Sequence, residues 1–359
     1  MKTAERELRT RVQELCAGWD YTPACDSWMS GYDPAFSKEL SRRGLLAVTW
    51  PEELGGHGGT NLDRLAVTEE LLRAGAPVAA HWIGERQIGP SLIRHGGPEL
   101  QREFCPSLAR AECSFALGMS EPESGSDLAS VRTTARRDSS GWRLNGRKVW
   151  TSGAHVATHL YVLARSSKED DKHDGLTEFI VDLSSPGVTV TPIVGMDGEH
   201  HFNEVLLDDV AVPERWVIGT VGDGWRQIVN QLSFERGGPE RFLSMYPLLA
   251  AISESGVLDE HGRIALAALA ARLAVLRRWA RDTARAMDAG DSPVVAAASS
   301  KYAGHRFERD VVAFARPWVP HCDENVRALY RQAVFAAPKS GIRGGAAPVM
   351  LSIIAKGSR

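Results

Sequence analysis

The chain has 359 residues, 43% of them hydrophobic and 24% charged, with a net charge of −3. That length asks for two or three packed units, and the composition excludes a disordered chain. A charge this small, with the basic residues scattered, leaves no footprint for nucleic acid or an anionic membrane surface.

Residues 1 to about 112 read as helical. Leu8, Val12, Leu15 and Cys16 recur at helical spacing, and Leu62, Leu65, Val67, Leu71 and Leu72 mark a second amphipathic stretch opened by Thr60 and Asn61 as caps. Between them, Pro51 and the glycines at 55, 56, 58 and 59 demand a loop. The texture changes near Cys113. Residues 142–150 alternate and contain an Asn-Gly turn at Asn145 and Gly146. Short strands are expected at 159–164, 177–182, 188–193 and 203–210, close enough for an all-β barrel or sandwich. From about Trp225 the helical pattern returns; residues 264–287 set apolar positions against arginines.

Several functions are excluded by what these residues lack. There is no phosphate loop of the Gly-x-x-x-x-Gly-Lys type and no His-Glu-x-x-His. The glycines at 55–59 follow no strand, so they make no dinucleotide fingerprint. His155 and His159 read as packed or solvent-facing histidines, and no metal site is expected. The five cysteines, Cys16, Cys25, Cys105, Cys113 and Cys322, form no Cys-x-x-Cys pair, so a disulfide framework is not expected and a reducing cytoplasm fits. The first residues carry acids and no apolar core, so no signal or transit peptide is expected, and no apolar run is long enough for a membrane span.

Residues 118–155 carry the chemistry. A flavin ring needs hydrogen-bond donors at its polar edge and apolar surface on its faces. Ser120 and Ser152 are suitable donors, as are backbone N–H groups around Met119 and Thr151. Trp150 can cover one face, and Gly125 and Ser126 allow close backbone approach to a pyrophosphate. Read singly, Ser120 could bond its own turn and Trp150 could fill the core.

The joint pattern resembles the acyl-CoA dehydrogenase family. Ser120-Glu121-Pro122-Glu123-Ser124-Gly125-Ser126-Asp127 is similar to its (Thr/Ser)-Glu-Pro-x-x-Gly-Ser-Asp signature, and Gly146-x-Lys148-x-Trp150-x-Ser152 to its second. Residues 202–225 resemble the end of its β-domain, and Ile342-Arg343-Gly344-Gly345 with Ile353-Ile354-Ala355 its final helix entry. The resemblance implies an α+β multidomain fold: an N-terminal helical domain at 1–112, a central β-barrel domain at 113–222 and a C-terminal helical bundle at 223–359. It implies FAD between the last two. Ser120, Gly125, Ser126, Trp150 and Ser152 fall on flavin- or substrate-contacting positions, and Phe115 and Leu117 on positions lining the ring. The implied reaction removes a proton α to a thioester and a hydride from the β carbon.

The chain departs from the family pattern in three places. The terminal acid of many members is matched by Gly344, and the usual Thr by Ala346. A second family position for the base is matched by Glu235, which becomes the expected base; it needs an apolar pocket to raise its pKa. The Arg-x-x-Phe-Gly and Gln-x-Phe-Gly-Gly segments that serve a neighbouring subunit's FAD are missing, and Pro317 and Pro320 interrupt the region of the second. The pattern is closest to actinobacterial-type members of steroid side-chain or natural-product pathways. The expected function is therefore FAD-dependent α,β-dehydrogenation of an acyl-CoA or acyl-carrier-protein thioester, with an electron-transfer flavoprotein as acceptor and a homo- or hetero-oligomeric assembly. Two alternatives stay open: a non-catalytic half-site subunit of a heteromeric enzyme, and a flavin oxidase or a dehydrogenase acting at an unusual chain position.

Overall fold

The computed structural model describes residues 3–235 and 237–357, and the side chains of 230–236 lie outside the described residues. In chain order the helices α1 (Thr3–Gly18), α2 (Ser27–Ser30), α3 (Pro34–Arg42), α4 (Asn61–Arg73), α5 (Ala79–Ile83), α6 (Gly89–His95) and α7 (Pro98–Ala109) come first. The strands follow: β1 (Phe115–Gly118), β2 (Thr134–Asp138), β3 (Gly141–Ser152), β4 (His159–Arg165), β5 (Leu176–Asp182), β6 (Val188–Val194), β7 (His200–Val212) and β8 (Val217–Ile218). The helices α8 (Gly224–Glu235), α9 (Tyr246–Glu254), α10 (Glu260–Asp288), α11 (Val294–Ala315), α12 (Glu324–Ser340) and α13 (Ala347–Gly357) complete the described chain. No helix among the described residues is long and apolar enough to cross a membrane.

These elements form two compact units, one of residues 1–36, 59–79 and 232–359, the other of residues 37–58 and 80–231. The first is helical. Thr60 caps α4 as the sequence suggests, accepting from the Asp63 N–H while the Asp63 carboxylate accepts from the Thr60 N–H. Inside this unit Arg9 of α1 and Arg277 and Arg281 of α10 reach buried carboxylates. Glu69 receives both Arg9 (2.6 Å) and Arg277 (3.0 Å), and Glu5 receives Arg281 (2.9 Å). The arginine face of 264–287 is thus partly an internal ionic seam.

The second unit contains the sheet. Its strand order is β6-β7-β3-β2-β4-β5-β8, with β1 added parallel to β4. The expected barrel is corrected here: β6 and β8 end the path at opposite sides and do not pair, so the sheet is open. The reason is visible in the edges, since β8 has two residues and β6 alternates half-exposed with exposed positions. The middle is buried on both faces. Tyr161, Ile180 and Phe115 enter one core with Trp50, Ile88 and Phe104, while Leu160, Val162, Phe179 and Val181 enter another with Leu144, Val205 and Leu207.

A second correction concerns Asn145 and Gly146. They make no hairpin turn; β3 runs through them with a register shift, and the reversal before β3 lies at Asp138–Gly141. Gly146 is required there, because a Cβ would lie 2.3 Å from Thr133 Oγ1. The Asn145 side chain accepts from the Asp209 N–H across the ladder, so Asn-Gly serves a bulge in this chain.

Candidate functional site

The candidate site grows from two chain segments of the sheet unit, the end of β1 and the end of β3. Alternation along β1 sends Ala116 and Gly118 into one core and Phe115 and Leu117 toward the other, with Met119 continuing their side. Phe115 is only 5% exposed, stacked on His159 at 5.1 Å and edge-on to Phe104 at 5.7 Å. Its ring is enclosed by these two neighbours, under the side that Leu117 and Met119 leave open. Leu117 and Met119 are half-buried and form the open part of that side.

After β1 the chain turns tightly at Glu121–Ser124, closed by paired backbone bonds of 2.7 and 3.1 Å. Ser124 Oγ donates to the Asp127 carbonyl, and Asp127 is held by Lys172 and Ser130. Gly125 and Ser126 stand exposed on this turn. A Cβ on Gly125 would meet nothing within 4 Å, so no packing within the protein requires a glycine there. Close approach by a ligand is the use that the position leaves open.

The end of β3 carries a bulge. Lys148 pairs with Val205 and Thr151 with Asn203, so two residues of β3, Val149 and Trp150, stand against one of β7, Glu204. Trp150 takes the extra place with φ of 59°, in the left-handed region. The bulge reverses alternation locally: Lys148 and Thr151 both turn inward, and Trp150 turns out, 59% exposed and edge-on to Phe202 at 5.8 Å. The Thr151 carbonyl accepts from the buried Asn203 amide (3.0 Å), whose oxygen faces His200 Nε2 (2.8 Å) and whose nitrogen faces His155 Nδ1 (3.2 Å). The His155 and His200 rings stack at 3.9 Å. Burial, then the neighbouring His200, hold the His155 imidazole below its ordinary pKa against the Asn203 contact.

The structure brings the two segments together. The Val149 N–H donates to the Ser120 carbonyl at 2.9 Å, and Lys148 Nζ reaches Glu121 Oε1 at 2.8 Å with both side chains buried. Glu121 also accepts from Thr133 Oγ1, Thr133 N and Arg132 N. Burial would raise the Glu121 carboxyl, but Lys148 and these hydrogen bonds hold it below the usual range. Burial pushes the Lys148 ammonium down to about 8 against the attraction of Glu121.

The donor set suits a flavin. Among the described residues, the hydroxyls of Ser120 and Ser152 meet no protein partner, and Thr151 Oγ1 is buried without one. Sequence reasoning offered Met119 only through its backbone N–H and missed its side chain, the Glu121–Lys148 pair and Asn203. Glu121 and Lys148 stand inside the two signatures, but alternation would place Lys148 on the same side as Trp150, and only the bulge separates them.

The remaining expectations concern the helical side. Glu235 is the last residue of α8, and its side chain lies outside the described residues. Gly344 and Gly345 both have positive φ, 64° and 103°. The preceding Arg343 is anchored in the helical unit by two 2.6 Å bonds to Asp26 and lies 4.5 Å over the Trp28 ring. No group of His, Cys, Asp and Glu among the described residues could hold a metal ion.

Residues 2–112 match the N-terminal domain and residues 116–210 the middle domain of acyl-CoA dehydrogenases. Acyl-CoA dehydrogenase IpdE1 of Mycobacterium tuberculosis is 45% identical over 203 residues, 56% of this chain and 53% of that protein. The chain thus spans about half the length of such curated relatives. Among solved structures, the ChsE4-ChsE5 complex from Mycobacterium tuberculosis is 27% identical with a TM-score of 0.82, covering 98% of this chain and 94% of that one. The Tcur3481-Tcur3483 steroid ACAD, at 24% identity, shares the fold with a TM-score of 0.88 over 100% of this chain and 97% of that one. The chain belongs to the acyl-CoA dehydrogenase family, whose members are FAD-dependent oxidoreductases acting on CH–CH bonds.

Proposed function

We propose that this chain is a FAD-dependent dehydrogenase of an acyl thioester, carried by coenzyme A or a carrier protein. The observation that carries the reading is the joining of the two signature segments at Val149 N and Ser120 O, which sets two unpartnered hydroxyls and an exposed Trp150 on one platform. Ser120 and Ser152 would donate to the polar edge of the ring, Trp150 would cover a face, and Leu117 and Met119 would give apolar surface. Gly125 and Ser126 would meet the pyrophosphate. Bound there, FAD would supply the hydride acceptor. Glu235 would take the α proton as a carboxylate held close to it. Its amide counterpart could hold the same place in α8 but accept no proton. An electron-transfer flavoprotein would reoxidise the enzyme, an oligomer would complete it, and the free cysteines suit a cytoplasmic setting.

A second reading has its own support. Gly344 stands where many family members carry the acid, and two of the structural neighbours are named as two-protein assemblies. The chain would then be a half-site subunit. The visible spectrum of the purified protein separates the two. Bound yellow flavin that bleaches anaerobically with an acyl thioester supports the dehydrogenase. A colourless protein that takes up flavin only with a second polypeptide supports the half-site.

A further inference from the structure

Lys148 is fully buried, and a buried ammonium needs every proton satisfied. Two acceptors are close, Glu121 Oε1 at 2.8 Å and the Leu163 carbonyl at 2.7 Å, and the Met119 carbonyl lies at 3.4 Å. The three acceptors come from different stretches: the end of β1, the turn after it, and β4. Lys148 itself sits two residues before Trp150. One side chain therefore ties together every segment that frames the platform.

The Met119 carbonyl has a further consequence. A trans peptide directs its C=O and N–H in opposite directions. A carbonyl aimed at Lys148 leaves the Ser120 N–H aimed away from it, and that N–H has no protein acceptor among the described residues. A cation at the carbonyl end polarises the peptide and strengthens its N–H as a donor. The Ser120 hydroxyl and N–H are thus both free at the place that faces the ring in the proposed site.

We infer that the Glu121–Lys148 pair is a positioning device for the flavin, fixing the Ser120 N–H and hydroxyl against the Trp150–Ser152 bulge. The inference rests on reading the platform as a flavin site. Lys148 touches no ligand; it acts through the Met119–Ser120 peptide and through Glu121. Glu121 in turn is fixed by Thr133 and the Arg132 N–H, which anchors the start of the turn that leads to Gly125 and Ser126.

The test measures FAD affinity of the flavin-stripped protein by fluorescence titration, beside its melting temperature. In Glu121→Met/Lys148→Leu both charges leave together, an exchange that buried pairs tolerate in stability. We expect a melting temperature close to the parent and FAD affinity at least tenfold weaker. Affinity within threefold of the parent overturns the inference, since a merely structural pair would leave it unchanged. Thr133→Val removes a single hydroxyl donor from Glu121 and serves if the double variant does not fold; at least a threefold loss of affinity is expected, and parental affinity overturns the inference. A parent that binds no FAD removes the flavin reading itself, whereas a parent that binds while both variants bind equally well removes only the role of the pair.

Discussion

Lys148 Nζ lies 2.8 Å from Glu121 Oε1, and the two residues belong to different signature segments, 27 positions apart. The contact explains why a buried lysine and a buried glutamate stand inside motifs rich in glycines and hydroxyls.

Removing one partner should be severe. Lys148→Met leaves the Glu121 carboxylate buried without its cation, which costs on the order of 3–5 kcal/mol, against near neutrality for the double apolar exchange. Chemical denaturation of the two variants beside the parent measures the difference. Glu121 also sets an acid limit. Its folded pKa is held below the ordinary glutamate value of 4.5, so the stability it contributes is complete above that pH and is lost as pH falls through the lower, folded value. Glu121→Gln should flatten this acid-side loss in a pH series of melts; an unchanged acid slope would contradict the assignment.

The sequence shows the helical and strand texture, the Thr60 cap and the signature segments because each is local: a period, a capping pair or a short motif. It hides the rest for the same reason. Sheet closure depends on whether β6 and β8 meet, which rests on strand length and long-range pairing and on no local motif. Asn145-Gly146 carries the residue types of a hairpin turn, and only the pairing of β3 with β7 and the approach of Thr133 place it inside a strand, opposite a bulge at Asp208 and Asp209. Trp150 and Phe115 read alike in sequence, as aromatic candidates for one site. Distinguishing them needs the bulge that turns Trp150 outward and the Phe104 and His159 rings that enclose Phe115.

Glu235→Gln should keep FAD and lose at least about a hundredfold in the rate of anaerobic flavin reduction, the scale of a general base. Single-turnover absorbance at saturating thioester separates this from a binding defect, because the amide changes charge and basicity but little volume. Turnover close to the parent would take the role from Glu235.

The terminal acid should not be restorable by one substitution. Gly344 has φ of 64°, where a residue with a Cβ costs roughly 1–2 kcal/mol, and Arg343 holds the turn through Asp26 and Trp28. Gly344→Glu placed on the Glu235→Gln background should recover no activity and should lower the melting temperature. Recovery to within tenfold of the parent rate would mean that the turn adapts and that Gly344 is a simple loss of a base.

Glu308 gives a prediction on the basic side. It is buried on α11, accepts from the Ser244 N–H at 3.1 Å through one oxygen, and leaves Oε2 without a partner. Burial raises its pKa to about 8, against the attraction of Arg343. The folded protein therefore holds a proton there that the unfolded chain releases near 4.5. Where the folded state binds more protons, stability falls as pH rises, so the favourable term is full below about 4.5 and gone above about 8. Glu308→Gln mimics the neutral acid at every pH. Its melting temperature should match the parent near pH 5 and exceed it progressively up to pH 8.5. A constant difference between the two proteins across that range would mean that Glu308 is already ionised in the folded state, stabilised by Arg343 strongly enough to offset its burial.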